Sequence, residues 1–292
     1  MKLLTIAALL ILTTATTVAL AQTGNRENVA GDRSRIEDQT FLAKNDGTEQ
    51  KFVLVYPPNF DSAKPVSLLI ALHGHGSDRW QFVKQTRGEC SGTREAATRH
   101  GMLMVSPDYR AKTSWMGPKA EEDLLQIIES LRKRLVVEHV IISGGSMGGT
   151  GALTFTARNP DLIDGVVSLN GTANLVEYER FSDAIAASFG GSRAEVPDEY
   201  RNRSAEFFPE RFTMPVAATT GGADTIVPPD SVLRLLKAIQ RNNDRVLSIH
   251  RPAGGHSTNH DDTVRAFEFV ISKLKASNKK STENSTGKKQ PE

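Results

Sequence analysis

The sequence is sparing with cysteine: Cys90 is the only one in 292 residues. One thiol cannot close an internal disulfide, so stability must come from the core. Cys90 lies in Arg-Gly-Glu-Cys-Ser-Gly with no apolar strand leading into it, and reads as a buried, inert thiol rather than a nucleophile. An excess of one charge is also missing. Thirty-six basic side chains against 34 acidic ones leave a net charge of +2, which provides no electrostatic footprint for nucleic acid. Internal repeats are absent, which sets aside repeat architectures.

The two ends differ from the middle. Met-Lys-Leu-Leu, an apolar run to Leu20 and the small-residue pattern Ala19-Leu20-Ala21 describe a secretory signal peptide over 1–21. No basic stop-transfer cluster follows it, so a cut after Ala21 is expected rather than a membrane anchor, with no stable membrane insertion afterwards. The mature chain is then periplasmic or extracellular. Residues 22–35 read as a linker. Residues 276–292 are polar and Lys-rich, with no large apolar side chain, and are expected to form a disordered tail. The 36–275 stretch between them suits one domain.

Within that stretch strands and helices alternate. Ile36–Ala43 and Glu49–Tyr56 flank Asn45-Asp46-Gly47 as a hairpin. The apolar run Val66–Leu72 reads as a strand buried on both faces. Glu95–His100 reads as a helix end closed by Gly101, followed by a strand at Met102–Val105. After Pro118, Leu124, Leu125, Ile127, Ile128, Leu131 and Leu135 follow helical spacing. Further strands are expected at Val140–Ile142, Gly165–Leu169, Val216–Thr219 and Arg245–His250. Helices are expected at Ala152–Ala157, Pro228–Ile239 and Asp261–Leu274. This order predicts an α/β fold: a mostly parallel central sheet with helices on both faces and a leading β-hairpin. Residues 171–213 break the rhythm and read as either a cap over the site or a plain helical connection.

The densest signal is Gly144-Gly145-Ser146-Met147-Gly148, between the apolar strand and a helix. Strand, sharp glycine-flanked turn with one serine, then helix is the geometry of a nucleophile elbow. A phosphate-cradling loop is disfavoured, because no Lys-Ser/Thr pair follows the glycines. A serine needs a base, and the base an orienting acid. Asp224 sits in a loop at the end of strand Val216–Thr219, where open α/β sheets place their sites. His256 follows Gly254-Gly255 after the last strand. Asp230, His250 and His260 read as surface or structural. Strand Val66–Leu72 runs into His73-Gly74-His75-Gly76, which offers a backbone N–H from His75 or Gly76 opposite that of Met147. His73-x-His75 also admits a metal-binding reading, which leaves the serine unexplained.

These motifs, in this order, resemble the α/β-hydrolase superfamily over roughly residues 36–275. The likeness is to exported feruloyl- and acetylxylan-type esterases, with prolyl-oligopeptidase-like peptidase domains nearby. The resemblance implies a Ser146-Asp224-His256 triad, His75 and Met147 as oxyanion donors, and no metal or cofactor. It implies a serine esterase acting on a small-molecule or carbohydrate ester, with activity rising through about pH 6–7. A serine peptidase with the same triad, or a binding module on the same fold, are the alternatives. The chain lacks the His-Gly-Gly-Gly of many lipases, which argues against bulky tertiary alcohols. Tyr109, Arg110, Trp115 and Asn170 follow strands on the active side and are expected near substrate. Trp115 reads equally as a core anchor, and Arg110 equally as a partner of Glu121.

Overall fold

A computed structural model describes residues 35–286. The expected signal peptide and nearly all of the linker lie outside the described residues. In chain order the elements open with β1 (Ile36–Leu42), β2 (Glu49–Val55), β3 (Val66–Leu72), α1 (Gln81–Lys84), α2 (Gly88–Arg99) and β4 (Leu103–Pro107). Next come α3 (Pro118–Arg132), β5 (Val137–Gly145), α4 (Met147–Arg158), β6 (Gly165–Leu169), α5 (Ser182–Phe189) and α6 (Pro197–Asn202). The chain continues through β7 (Val216–Gly221), α7 (Asp230–Ile239), β8 (Val246–Arg251) and α8 (His260–Thr286). No helix among the described residues is long and apolar enough to cross a membrane.

All eight strands form one sheet in the order β1-β2-β4-β3-β5-β6-β7-β8. The hairpin β1–β2 is antiparallel, β2 joins β4 antiparallel, and every later pairing is parallel. The two-residue period of a strand divides the apolar residues between two cores. Leu68, Ile70 and Leu72 of β3 join Val140 and Ile142 of β5 beneath α3, α4 and α7. Leu69 and Ala71 face the other way, with Ile141, toward Ala96 of α2 and Phe267 and Val270 of α8. Each of the fully buried Leu, Ile, Val and Phe side chains contributes about 1.5–3 kcal/mol.

One sequence expectation changes. α8 runs on to Thr286 rather than ending near Leu274, because no proline or glycine breaks it before Gly287. The tail expected to be disordered from 276 therefore begins as helix. The segment 171–213, which the sequence leaves open between a cap and a plain helical connection, is anchored in the core. Tyr178, Ile185, Phe189, Tyr200 and Phe212 are buried in the main core, and only Phe181 of that segment reaches the cavity beside Ser146.

Candidate active site

β5 ends in two glycines, and Ser146 forms the sharp turn into α4 with φ 57° and ψ −119°. That region is costly for a residue with a side chain. The neighbours hold it there: Ser146 N–H donates to Leu169 O at 2.8 Å, and Ser146 O accepts Thr150 N–H at 2.9 Å. The tight approach explains two of the glycines. A Cβ on Gly148 would lie 2.0 Å from Leu72 O, and one on Gly144 would lie 2.4 Å from Gly148 C. Gly145 is different, since a Cβ there would meet nothing closer than 3.7 Å.

The loops after β7 and β8 bring the other two candidates to the serine. His256 Nε2 lies 2.9 Å from Ser146 Oγ, and His256 Nδ1 lies 2.7 Å from Asp224 Oδ2. The Asp224 side chain is fully buried, and its Oδ1 accepts the Ile226 and Val227 N–H groups, each at 2.9 Å. A carboxylate held this way accepts from Nδ1–H, which leaves the Nε2 lone pair facing the serine hydroxyl. The glycine pairs of the two loops make the approach possible. A Cβ on Gly221 would sit 2.4 Å from both Gly254 O and Gly255 O, and one on Gly222 would sit 2.4 Å from Pro252 O.

Asn170 lies under the histidine loop. Its Oδ1 accepts from the Thr219 hydroxyl at 3.3 Å and from the Thr258 hydroxyl, and its Nδ2 donates to Gly255 O at 3.4 Å. It borders the cavity, but its polar atoms are spent on holding this loop. His250 and His260 stay away from the serine: His250 meets Thr220 Oγ1, and His260 pairs with Glu95.

The loop after β3 faces the start of α4. Gly76 N–H donates to Lys112 O at 2.8 Å, and Gly74 N–H donates to Gln81 Oε1 at 2.7 Å. His75 N–H is therefore the donor this loop has left for the cavity. It is matched by Met147 N–H, which as the first helical residue has no intrahelical acceptor. His73 is buried, with Nδ1 2.9 Å from Gly74 O and Nε2 3.2 Å from Asp108 O. Nitrogens set against carbonyl oxygens do not present lone pairs to a metal, and burial pushes the His73 imidazole below its ordinary pKa. Among the described residues no group of His, Cys, Asp and Glu is arranged to hold a metal ion. Cys90 is buried in α2, and burial pushes its thiol up to about 12, far from a reactive thiolate.

Three expected substrate contacts are corrected. Tyr109 and Trp115 are 1% and 0% exposed; both turn into the core. Tyr109 OH donates to His73 O at 2.5 Å, and Trp115 Nε1–H donates to His75 Nδ1 at 3.1 Å. They brace the loop that carries His75. Arg110 reaches away to the hairpin turn, donating to Asp46, Asn45 and Thr48, and to Asp123 Oδ1 at 2.8 Å. It does not pair with Glu121, whose partners are Arg203, Arg158 and Asn159.

A cavity of about 390 Å³ opens over Ser146 and His256. Gln81, Gln85, Arg87 and Glu89 form one wall, and Phe181 and Ile226, each 37% exposed, form the other. None of these wall residues stands out in the sequence. α1 is a four-residue helix with no apolar period to reveal it, and the residues leading into α2 carry no motif. The one usable signal was the run of polar residues just after the His-Gly loop.

The sequence pattern of the prolyl oligopeptidase family matches residues 108–276, more than half of the chain. The chain belongs to the prolyl oligopeptidase family. It is a serine hydrolase of the α/β-hydrolase type. No curated protein matches it by sequence. Solved structures share this family member's fold at low identity. A Bacteroides ovatus protein described as a dipeptidyl aminopeptidase IV is 19% identical with a TM-score of 0.66; the alignment covers 85% of this chain and 36% of that one. The chain thus spans about a third of that protein's length. An S-formylglutathione hydrolase from Agrobacterium tumefaciens is 14% identical, with a TM-score of 0.65 and coverage of 86% and 98%. Est1E from Butyrivibrio proteoclasticus is 18% identical, with a TM-score of 0.58 and coverage of 80% and 98%. At these identities the likeness establishes the fold and leaves the substrate open.

Proposed function

We propose that this chain is an exported serine esterase that cleaves a carboxylic ester through an acyl-enzyme, with Ser146, His256 and Asp224 as its triad. The observation that supports this reading is the continuous line from Asp224 Oδ2 through His256 to Ser146 Oγ, at 2.7 and 2.9 Å. Ser146 Oγ attacks the ester carbonyl while His256 Nε2 takes its proton. Asp224 orients the ring and stabilises the imidazolium that forms. The Met147 and His75 N–H groups receive the developing oxyanion. His256 then protonates the departing alcohol, and water hydrolyses the acyl-enzyme by the same steps in reverse order.

The substrate reading rests on the cavity. A volume of about 390 Å³ is at the small end of ligand sites, roughly 300–1,000 Å³, and suits a small acyl or aromatic acyl group. The Ser77 hydroxyl and the exposed Gln85 amide along its rim suit a hydroxyl-rich alcohol such as a carbohydrate. Family membership favours a second reading, the cleavage of short peptides by the same residues. No nucleic-acid partner, metal or cofactor is invoked. Export rests on the N-terminal sequence, and the amino terminus of protein recovered from the periplasm or medium tests it; Gln22 is the expected first residue.

The deciding assay is hydrolysis of p-nitrophenyl acetate to octanoate, methyl ferulate, acetylated xylan and Ala- or Pro-p-nitroanilides, each beside Ser146→Ala. Ester turnover that falls at least about a thousand-fold in the variant supports the esterase. Anilide turnover without ester turnover moves the assignment to the peptidase. An active, folded Ser146→Ala protein refutes both.

A further inference from the structure

Beside the serine, the His75 ring is held more tightly than a loop residue requires. Trp115 Nε1–H donates to its Nδ1 at 3.1 Å. The indole nitrogen is only ever a donor, so His75 Nδ1 must be an acceptor. Nδ1 then carries no proton, and a neutral ring holds its single proton on Nε2. Protonating Nδ1 as well would set two N–H groups against each other. Burial also pushes the His75 imidazole below its ordinary pKa. The ring also packs against Phe181, at 4.3 Å between ring centroids.

The Nε2 side of the ring has no protein partner among the described residues. It is not among the buried side-chain atoms that lack a hydrogen bond either, so it is open, and His75 lines the cavity over Ser146. Trp115 has been brought to this position at a cost: it is fully buried, and both it and Met116 have positive φ, 45° and 54°. A tryptophan needed only to fill the core would not require two consecutive residues in that region.

We propose that Trp115 is a positioning residue that holds His75 as its Nε2–H tautomer, so that the ring, and not only the backbone, donates a hydrogen bond to the substrate oxygen on which negative charge builds. This rests on the hydrolase reading of the site. The His75 ring is a third N–H beside those of His75 and Met147 backbones. Because the indole fixes its proton, the donor is set in place before substrate arrives.

Two measurements on the full mature chain test it. The first is the ¹⁵N NMR tautomer of the His75 ring, identified by its loss in His75→Phe. The expected result is a proton on Nε2 in the wild type and a mixture of tautomers in Trp115→Phe. A proton on Nδ1, or a tautomer indifferent to Trp115→Phe, overturns the positioning role. The second is kinetics on the best ester. His75→Phe keeps the backbone N–H and an aromatic ring but loses the side-chain donor, so kcat should fall about ten- to a hundred-fold with KM changed little. His75→Gln, which returns an N–H, should recover part of that loss. Wild-type kcat in His75→Phe overturns the donor role. The NMR result needs no turnover. A chain silent on every ester but with the expected tautomer refutes the esterase reading alone, whereas Ser146-dependent turnover untouched by His75→Phe refutes this inference alone.

Discussion

Gly221→Ala should disable the site without unfolding the protein, because at Gly221 the aspartate and histidine loops meet backbone to backbone. A Cβ at 221 would lie 2.4 Å from Gly254 O and from Gly255 O, against 3.4 Å for ordinary contact. No flexible side chain stands between them to give way, so the loops must separate by about 1 Å. The bonds that depend on where the histidine loop sits are 2.7 Å from His256 Nδ1 to Asp224 across this gap and 2.9 Å from Nε2 to Ser146 on the elbow. Adding that distance to either takes it past hydrogen-bond range. A misplacement of about 1 Å costs roughly a hundred-fold in rate, or about 2.7 kcal/mol of transition-state stabilisation. Overpacking of this kind costs about 1–3 kcal/mol of stability, so urea unfolding should accompany the assay to establish that the variant is folded. The assay is kcat on the best ester together with the rate of labelling by a fluorophosphonate probe, which reads serine activation directly. Gly255→Ala is the control. A Cβ there meets nothing within 4 Å, so that variant should stay within about two-fold of wild type. A folded Gly221→Ala enzyme with kcat within about three-fold of wild type would refute the claim that these glycines set the distance.

Four other outcomes follow from the same geometry. Asp224→Asn should turn the His256 tautomer, set an N–H against Ser146 and lower kcat by about a thousand-fold or more; a modest loss on an ester would mean that Asp224 only caps its loop. Arg203→Met strips the buried Glu121 carboxylate of its 2.8 Å partner and Met116 O of its donor, so urea unfolding should show a loss of about 3–5 kcal/mol, and a loss under about 1 kcal/mol would refute the buried pair's role. Cys90, with its thiol pushed up to about 12 by burial, should resist iodoacetamide at pH 8 in the native protein and react once denatured; rapid native alkylation would contradict its burial. Burial raises the Asp123 carboxyl from 3.8 to about 6 despite Arg110 at 2.8 Å. The folded value lies above the unfolded one, so its contribution is present at low pH and lost as pH rises through about 6, by at most about 3 kcal/mol. The loss falls between the unfolded and folded values, so Asp123→Asn should flatten urea stability between about pH 4 and 6.5, and an unchanged slope would refute the assignment.

What the sequence revealed and what it hid differ in physical kind. β3 and β6 have the bounds read from their apolar runs, since a strand buried on both faces leaves an uninterrupted hydrophobic signature. Ser146, Asp224 and His256 were legible as candidates because each sits in a glycine-marked loop just past a strand, and chain order alone pairs them; the structure brings the three side chains together. Tyr109 was misread, and Trp115 left open between substrate and core, because sequence position indicates which loop a residue occupies but not which way its ring turns. Their direction is set by positive φ at Tyr109, Arg110, Trp115 and Met116, and none of these is a glycine that would have betrayed it. Arg110 was misread for a related reason: its partners Asp46 and Asn45 lie far away in sequence, and only the pairing of β2 with β4 brings the hairpin turn within reach. The cavity wall from Gln81 to Glu89 carries no motif, because lining a pocket asks only for a polar side chain at the right place.

Where the backbone is strained bears on the candidate site independently of any motif. Eight non-glycine residues among those described have positive φ, and seven of them lie in the loops after β4, β5 and β6. Each costs on the order of 1–3 kcal/mol, a sizeable fraction of the roughly 5–15 kcal/mol by which a domain is stable. Strain spread at random would not gather at the C-terminal ends of three strands of the parallel part of the sheet. Four of the seven bear directly on the site: Ser146 is turned toward His256, Asn170 holds the histidine loop, Trp115 holds the His75 ring, and Phe181 stands at the cavity edge. If the strain serves the site, relaxing it away from the chemistry should stabilise the fold at the expense of turnover. Met116→Gly is the clean case, since Met116 is buried away from the cavity lining and glycine tolerates its φ of 54°. Its lost side-chain packing costs stability, so Met116→Ala serves as the packing reference. Relative to that reference, Met116→Gly should unfold at higher urea while lowering kcat; a glycine variant with kcat equal to the alanine variant's would show that the strain at 116 has no bearing on the chemistry.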